Sequence, residues 1–215
     1  IPLRLVGSEM CIRDRHRSTS TEALLYGDQQ AIEKQLADCE NASVLSRLTV
    51  IHCSEIITDS DKPSVAVRSK REASMGRAVK AVADQNADAC ISAGNTGALM
   101  ALGLFNLKTL PGISRPAICT TFPTVRGRTY VLDLGANIEC SADQLYQFAV
   151  LAHLTAQRLD KNVNPIIRLL NLGVEETKGS DELQNAAGLL EQDASLNYAG
   201  FVEGDGIFEG LADIV

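Results

Sequence analysis

The sequence predicts an α/β protein, a three-layer α/β/α arrangement around a mostly parallel sheet. Three observations carry this reading. From Thr21 onward, short apolar runs alternate with helical patterns, as stacked βα units require. Loops rich in Gly, Asn or charge follow three of the apolar runs, where doubly wound sheets gather ligands. With 215 residues, 45% of them hydrophobic, the chain is long enough to bury a substantial core.

The first fifteen residues are set apart. Val6-Gly7-Ser8-Glu9-Met10-Cys11-Ile12-Arg13-Asp14-Arg15 reads as translated adapter sequence, so residues 1–15 are treated as a non-native leader and 16–215 as a partial domain. Ala23-Leu24-Leu25-Tyr26 reads as a strand ending at Gly27-Asp28, followed by a helix to about Asp38. Arg47 to His52 is the next strand. Ser60 to Arg71 reads as a charged loop, leading to a helix on which Met75, Val79 and Val82 recur at i, i+4 and i+7. The apolar run Ala89-Cys90-Ile91 reads as a strand feeding Ser92-Ala93-Gly94-Asn95-Thr96-Gly97.

That turn opens a helix from Thr96 to about Leu107, apolar nearly all round and so expected to be buried on more than one face. Pro111-Gly112 stops it. Ala117 to Phe122 and Tyr130 to Leu134 read as strands, the second running into Gly135-Ala136-Asn137. Ser141 and Gln144 are spaced as a capping box for a helix to about Leu159, with Leu145, Phe148, Ala149, Ala152, Ala156 and Leu159 along its stripe and His153 at the edge. Pro165 to Leu170 is a strand, Ser180 caps a helix to about Gln192, and Leu196 to Val202 is the last strand.

Composition narrows the function. A net charge of −7, from 20 basic and 27 acidic residues, argues against a general binder of nucleic acid or anionic membranes. The leader carries +1 of this, leaving −8 for the rest. The six cysteines are scattered with no CxxC pair, so neither a zinc knuckle nor a disulfide framework is expected; reduced thiols in a cytoplasm fit. No metal and no cofactor is expected, and no GxGxxG with a downstream ribose-binding acid supports a dehydrogenase. The longest apolar stretch, Ala98 to Leu107, is about half the ~20 residues that span a bilayer. Helix-start amides and close-approach glycines make Ser92 to Gly97 an anion site in outline.

At these residues the chain resembles the phosphate acyltransferase family called PlsX. The marks are Arg68 with Ser74-Met75, the block Ser92 to Met100, Arg115-Pro116-Ala117, Asp133-Leu134-Gly135-Ala136-Asn137 with Cys140, and Leu169 to Gly173 through Glu175, Lys178 and Gly179. Order and spacing agree from about Leu24 to Val215. The family begins with a strand and a Met-Gly-Gly-Asp segment and continues through an Asp-Gly-Phe-Thr-Gly-Asn block, so the resemblance implies a fragment. Ile166 and Arg168 stand where the family more often has an arginine and a small residue.

The resemblance implies a fold similar to isocitrate dehydrogenases and phosphotransacetylases. It also implies a reaction: inorganic phosphate attacks the thioester of a fatty acyl group on acyl carrier protein, giving acyl phosphate for phospholipid synthesis. The expected protein is a cytoplasmic homodimer in loose contact with the membrane or with the downstream glycerol-phosphate acyltransferase, and it binds no nucleic acid. Ser92, Gly94, Asn95, Thr96 and Gly97 are the expected phosphate cradle, with Arg68 and Ser74 as further binding residues. Lys178 is the preferred cation, to neutralise phosphate or stabilise the oxyanion; Arg68, beside Lys70 and Arg71, is a second cation or part of a landing patch for the acidic carrier. Asn137 orients phosphate or thioester, Asp133 orients a donor or ties down turn amides, and Glu175 is a base or a partner of Lys178.

Cys140 precedes a helix, the one position expected to lower a thiol pKa, but direct attack by phosphate is preferred to an acyl-enzyme. Two other readings stay open: a phosphotransacetylase-like enzyme using acyl-coenzyme A, and a noncatalytic module that binds phosphate or acyl phosphate.

Overall fold

The computed structural model describes residues 4–5, 21–137, 139–173 and 178–215. The chain divides into two compact units, Ile1–Lys108 and Thr109–Val215, and each is taken by itself.

In the first unit, β2 (Glu22–Gly27) pairs in parallel with β1 (Arg4–Leu5) on one side and β3 (Leu48–His52) on the other, with Leu25 opposite Val50. The structure thus places Arg4–Leu5, part of the stretch set apart as a leader, in the sheet. A parallel pair needs a crossover, and α1 (Gln29–Leu36) with the short α2 (Ala42–Leu45) supplies it. Asp28 caps α1 by accepting from the Ala31 amide at 2.8 Å, and Asn41 caps α2.

The segment from Ser60 to Arg71, expected as a charged loop, contains α3 (Pro63–Ser69). Pro63 sits at the start, where its missing N–H costs nothing, and Ala66 is fully buried in the cluster formed with α4 (Ser74–Ala83) and α5 (Thr96–Leu107). Ile57, Ala73, Met75, Val79, Ala98 and Leu102 complete this core. Gly76 is required there. A Cβ at this position would lie 2.3 Å from the Arg71 carbonyl oxygen.

Two further expectations fail in this unit. Ala89-Cys90-Ile91 is not a strand: it forms no ladder, and Ile91 walls a cavity instead. The loop 92–97 therefore follows irregular chain rather than a strand end. Nor is α5 buried on more than one face; only Ala98 and Leu102 are buried, while Phe105 and Leu107 are exposed. Part of Phe105 is covered by the Arg71 guanidinium, 4.6 Å from the ring centroid.

The second unit is built on a five-membered sheet. β4 (Cys119–Thr124) and β5 (Gly127–Leu132) form an antiparallel hairpin, and β6 (Ile166–Leu170) and β7 (Asn197–Val202) run parallel. The last residues of the chain join the two pairs. Ile214 bridges both Tyr130 and Ile167 in parallel, with Val215 N donating to Tyr130 O at 2.8 Å and Arg168 N to Ile214 O at 2.9 Å. The order is therefore β4, β5, residues 213–215, β6, β7.

Alternation along these strands sends successive side chains to opposite faces. Tyr130, Ile167, Leu169 and Ile214 join α6 (Ala142–Asp160) and α7 (Asp181–Gln192) in one core. Val131, Val202 and Val215 face the other way, with Ile207 of α8 (Gly204–Glu209). Helices on both faces of one sheet give the expected three layers within this unit.

The Ser141–Gln144 capping box forms in both directions, and the Ser180 hydroxyl accepts from Leu183 N, as the sequence predicted. Leu159, expected on the apolar stripe of α6, is 67% exposed, whereas His153, expected at its edge, is buried. β5 ends at Leu132, leaving Leu134 in the turn beyond it. Among the described residues no helix is long and apolar enough to cross a membrane.

Candidate functional site

The anion-binding features of the first unit sit where chain enters α5. Asn95 is the N-cap: its Oδ1 accepts from Ala98 N at 2.9 Å. Its Nδ2 donates to the carbonyls of Thr58, Asp59 and Asp61 at 3.1, 3.3 and 2.9 Å. The side chain clamps the loop 58–61 to α5 and has no donor left for phosphate. Among the described residues the amides of Thr96 and Gly97, in the exposed first turn, have no acceptor. These two N–H groups carry the partial positive charge of the helix start.

Ser92 and Gly94 precede them in a tight turn in which Gly94 N donates to Ser92 Oγ at 3.2 Å. Added side chains would crowd this turn: a Cβ on Gly94 would lie 3.0 Å from Met75 Cε, and one on Gly97 3.1 Å from Pro63 Cγ. Ser92 and Gly94 also line a cavity of ≈350 Å3 together with Ser74, Tyr26, Ile56, Ile57, Met75, Ala78, Ile91 and Ala93. The structure thus brings Ser74, Ser92 and Gly94 around one space. Arg68 is not there; it lies exposed in the last turn of α3.

Tyr26 and Ile57 were missed at the level of sequence, because nothing in β2 or in the loop after β3 signals that both face the same space. Burial pushes the Tyr26 phenol up, so it remains a protonated donor. Its ring is backed by the Arg77 guanidinium, 5.7 Å from the centroid, which donates to His52 O at 2.8 Å.

In the second unit, the loop after β5 is organised by Asp133. One carboxylate oxygen accepts from Ile118 N at 3.2 Å; the other accepts from Asn137 N at 2.9 Å and Asn137 Nδ2 at 2.8 Å. Asp133 therefore ties down turn amides and orients Asn137. Asn137 Nδ2 also donates to Pro116 O at 3.3 Å, so both its hydrogens have acceptors. For the expected role of orienting phosphate or thioester, the side-chain atom of Asn137 left over is Oδ1, an acceptor.

The cysteine reading also changes. Cys140 Sγ donates to Asp133 Oδ2 at 3.9 Å, and burial first, then the Asp133 charge, pushes its thiol up despite Arg115. The helix start does not make it an activated thiolate. Burial raises Cys90 and Cys119 as well.

Lys178 lies exposed in the loop that follows β6. Its carbonyl is held by Asn171 Nδ2 at 2.9 Å and by Gln184 Nε2. Asn171 is buried, and its Oδ1 accepts from Leu172 N at 2.8 Å. Gly179, at φ +100°, passes so close that a Cβ would meet Asn171 Oδ1 at 2.9 Å. Asn171 is thus the organiser of the lysine loop, a role its place in the motif did not reveal. Glu175 lies outside the described residues. Because β5 and β6 run parallel with one strand between them, the Asp133 and Lys178 loops leave the same edge of the sheet, their strands about 10 Å apart. Arg168, one of the departures from the family pattern, is structural: it donates to Phe201 O at 2.9 Å and Leu211 O at 3.3 Å. Among the described residues no group of three His, Cys, Asp or Glu could hold a metal.

Comparison with known proteins identifies the family and the fold. Residues 5–215 match the family described as fatty acid synthesis protein. A phosphate acyltransferase from Shewanella sediminis (strain HAW-EB3) is 46% identical over 192 residues, 89% of this chain and 56% of the relative. One from Methylococcus capsulatus (strain ATCC 33009 / NCIMB 11132 / Bath) is 47% identical over 199 residues, 93% of this chain and 58% of the relative. The chain therefore spans little more than half the length of these curated relatives.

Among solved structures, the EutD phosphotransacetylase from Staphylococcus aureus superposes with a TM-score of 0.67 at 16% identity, covering 99% of this chain and 76% of that one. A branched-chain phosphotransacylase from Enterococcus faecalis V583 gives 0.62, also at 16%, over 99% of this chain and 78% of that one. At that identity these two structures show the fold alone: the phosphotransacetylase-type α/β fold. With nearly all of its length matched and almost half its residues shared with named relatives, the chain belongs to the fatty acid synthesis protein family, the PlsX-type phosphate acyltransferases.

Proposed function

We propose that the protein transfers a fatty acyl group from the thioester of acyl carrier protein to inorganic phosphate, giving acyl phosphate for phospholipid synthesis. The observation that carries this reading is the pair of acceptor-free amides at Thr96 and Gly97, next to Ser92 and a ≈350 Å3 cavity. A phosphate oxygen attacks the thioester carbonyl; the tetrahedral intermediate then collapses, breaks the C–S bond and releases the carrier thiolate, which takes up a proton. The Thr96 and Gly97 amides and the Ser92 hydroxyl hold the phosphate. A helix end alone gives a surface anion only ~0.3–1 kcal/mol, so a cation has to assist. Asp133 and Asn171 act as positioning residues for the two loops of the second unit. Arg68, exposed and away from the cavity, fits a landing patch for an acidic carrier better than a phosphate ligand. A homodimer in the cytoplasm with peripheral membrane contact is part of the same proposal.

The fold of the two solved phosphotransacylases favours one alternative, acyl-coenzyme A as the donor. The test follows thiol release from acyl carrier protein and from acyl-coenzyme A with increasing phosphate. It uses this chain and a version extended at both ends to the length of its relatives. Saturable, phosphate-dependent release from the carrier thioester supports the reading. Release from coenzyme A alone transfers the assignment to the alternative, and phosphate binding without release from either donor makes the protein a binding module.

A further inference from the structure

The ≈350 Å3 cavity of the first unit has a chemistry of its own. Its deepest residues are apolar: Ala78 is 1% exposed, and Met75 and Ile57 are also buried. Its mouth is formed by the exposed Ile56, Ala93 and Gly94. Among the described residues, three half-buried polar side chains, Ser74, Ser92 and Tyr26, are the side-chain hydrogen-bonding groups in the wall, and no Asp, Glu, Lys, Arg or His lines it. An anion inside would be stripped of water with no countercharge, a cost of several kcal/mol. An uncharged hydrocarbon gains by leaving water and needs no partner there, at the smaller cost of drying hydroxyls along one side of the wall.

We infer that this cavity is the subsite for the apolar tail of the acyl group, entered past Ile56 and Ala93 while the phosphate stays outside at the first turn of α5. The inference rests on the acyltransferase reading for the identity of the tail. The volume lies near the low end for small-molecule sites, ~300–1,000 Å3. The cavity therefore takes the part of a long chain nearest the reacting carbonyl and leaves the distal methylenes outside. Gly94 fits this division, since a side chain there would press on Met75 Cε in the cavity wall.

The test is calorimetric titration with inorganic phosphate and with ethyl, hexyl, octyl and dodecyl phosphate, each below its micelle concentration. Affinity is expected to rise roughly fourfold per methylene and then level off once the cavity is full. Ala93→Leu, at an exposed position, adds bulk at the mouth without disturbing the core; it is expected to weaken octyl phosphate at least tenfold, with a loss that grows with tail length. Ile56→Ser, also exposed, is expected to reduce the gain per methylene. Affinity independent of tail length overturns the inference, as does a length dependence that Ala93→Leu leaves unchanged. Thiol release measured on the same samples separates the two claims. Tail-dependent binding without phosphate-dependent release keeps the cavity and removes the acyltransferase; release with flat binding does the opposite.

Discussion

Asn95 and Asp133 perform the same task in the two units: each is a short polar side chain that ties down a loop through backbone groups. Asn95 caps α5 and draws in three carbonyls of the loop 58–61. Asn95→Ala removes the cap and the clamp together and is expected to cost about 1–2 kcal/mol, the usual range for a lost cap. Thermal unfolding checks this, with a fall of roughly 2–8 °C expected for a chain of this size. A variant that melts like the parent yet loses phosphate would return Asn95 to the cradle. Asp133 accepts from two amides and from the Asn137 side chain. Asp133→Ala leaves partly buried donors unpaired, at about 1–3 kcal/mol, and releases Asn137. The expected kinetic result is a kcat lowered at least tenfold with a smaller change in KM for phosphate; the reverse pattern would make Asp133 a ligand rather than a positioning residue.

At the scale of elements, the contact between the loop before α4 and the helix itself sets a sharp limit. Gly76→Ala places a Cβ 2.3 Å from the Arg71 carbonyl, which belongs to backbone and cannot rotate away. The expected destabilisation is about 1–3 kcal/mol or more, read as a shift in denaturant midpoint, and an unchanged midpoint would mean the two elements are not held at this separation. Elements with local signals were legible in the sequence. The helix α6 announced itself through Ser141 and Gln144, and α7 through Ser180, because caps act within three residues. Elements whose identity depends on distant partners were not. Residues 213–215 form the central strand of the second unit only because β5 and β6 offer edges to either side. Ala89 to Ile91 has strand composition but no such edge. In α3 the charges of Arg68 and Lys70 masked Ala66, whose burial comes from α5. The candidate site divides in the same way. The loop 92–97 was legible from its glycines, whereas Tyr26 and Ile57 join it only through folding.

For the molecule as a whole, stability is expected to be lost in acid. Hydrogen bonding to Lys70 holds Asp61 below the usual carboxylate range, Arg128 does so for Asp160, and Ser195 with Tyr146 for Asp193. A carboxyl depressed in the folded state contributes stability that is complete above its unfolded value, about 4. That contribution is lost as pH falls through the lower folded value. Asp160 is exposed and Asp61 and Asp193 are half-buried but reach solvent, so each contribution is small and screened by salt. The melting temperature is expected to hold from about pH 7 to 5 and to fall below about pH 4, with a shallower acid limb in Lys70→Met. A melting temperature unchanged down to about pH 2 would show that these pairs do not form. With an overall net charge of −7, the proposed function requires local positive charge to meet an acidic carrier, and the proposal assigns that part to the exposed Arg68. The most direct test of the account is the product itself. Long-chain acyl carrier protein is incubated with the protein in the presence and absence of phosphate, and acyl phosphate is trapped with hydroxylamine and identified by mass. Acyl hydroxamate that forms only with phosphate, in proportion to carrier thiol released, is the predicted result; thiol release that is indifferent to phosphate, with no trapped acyl phosphate, would contradict it.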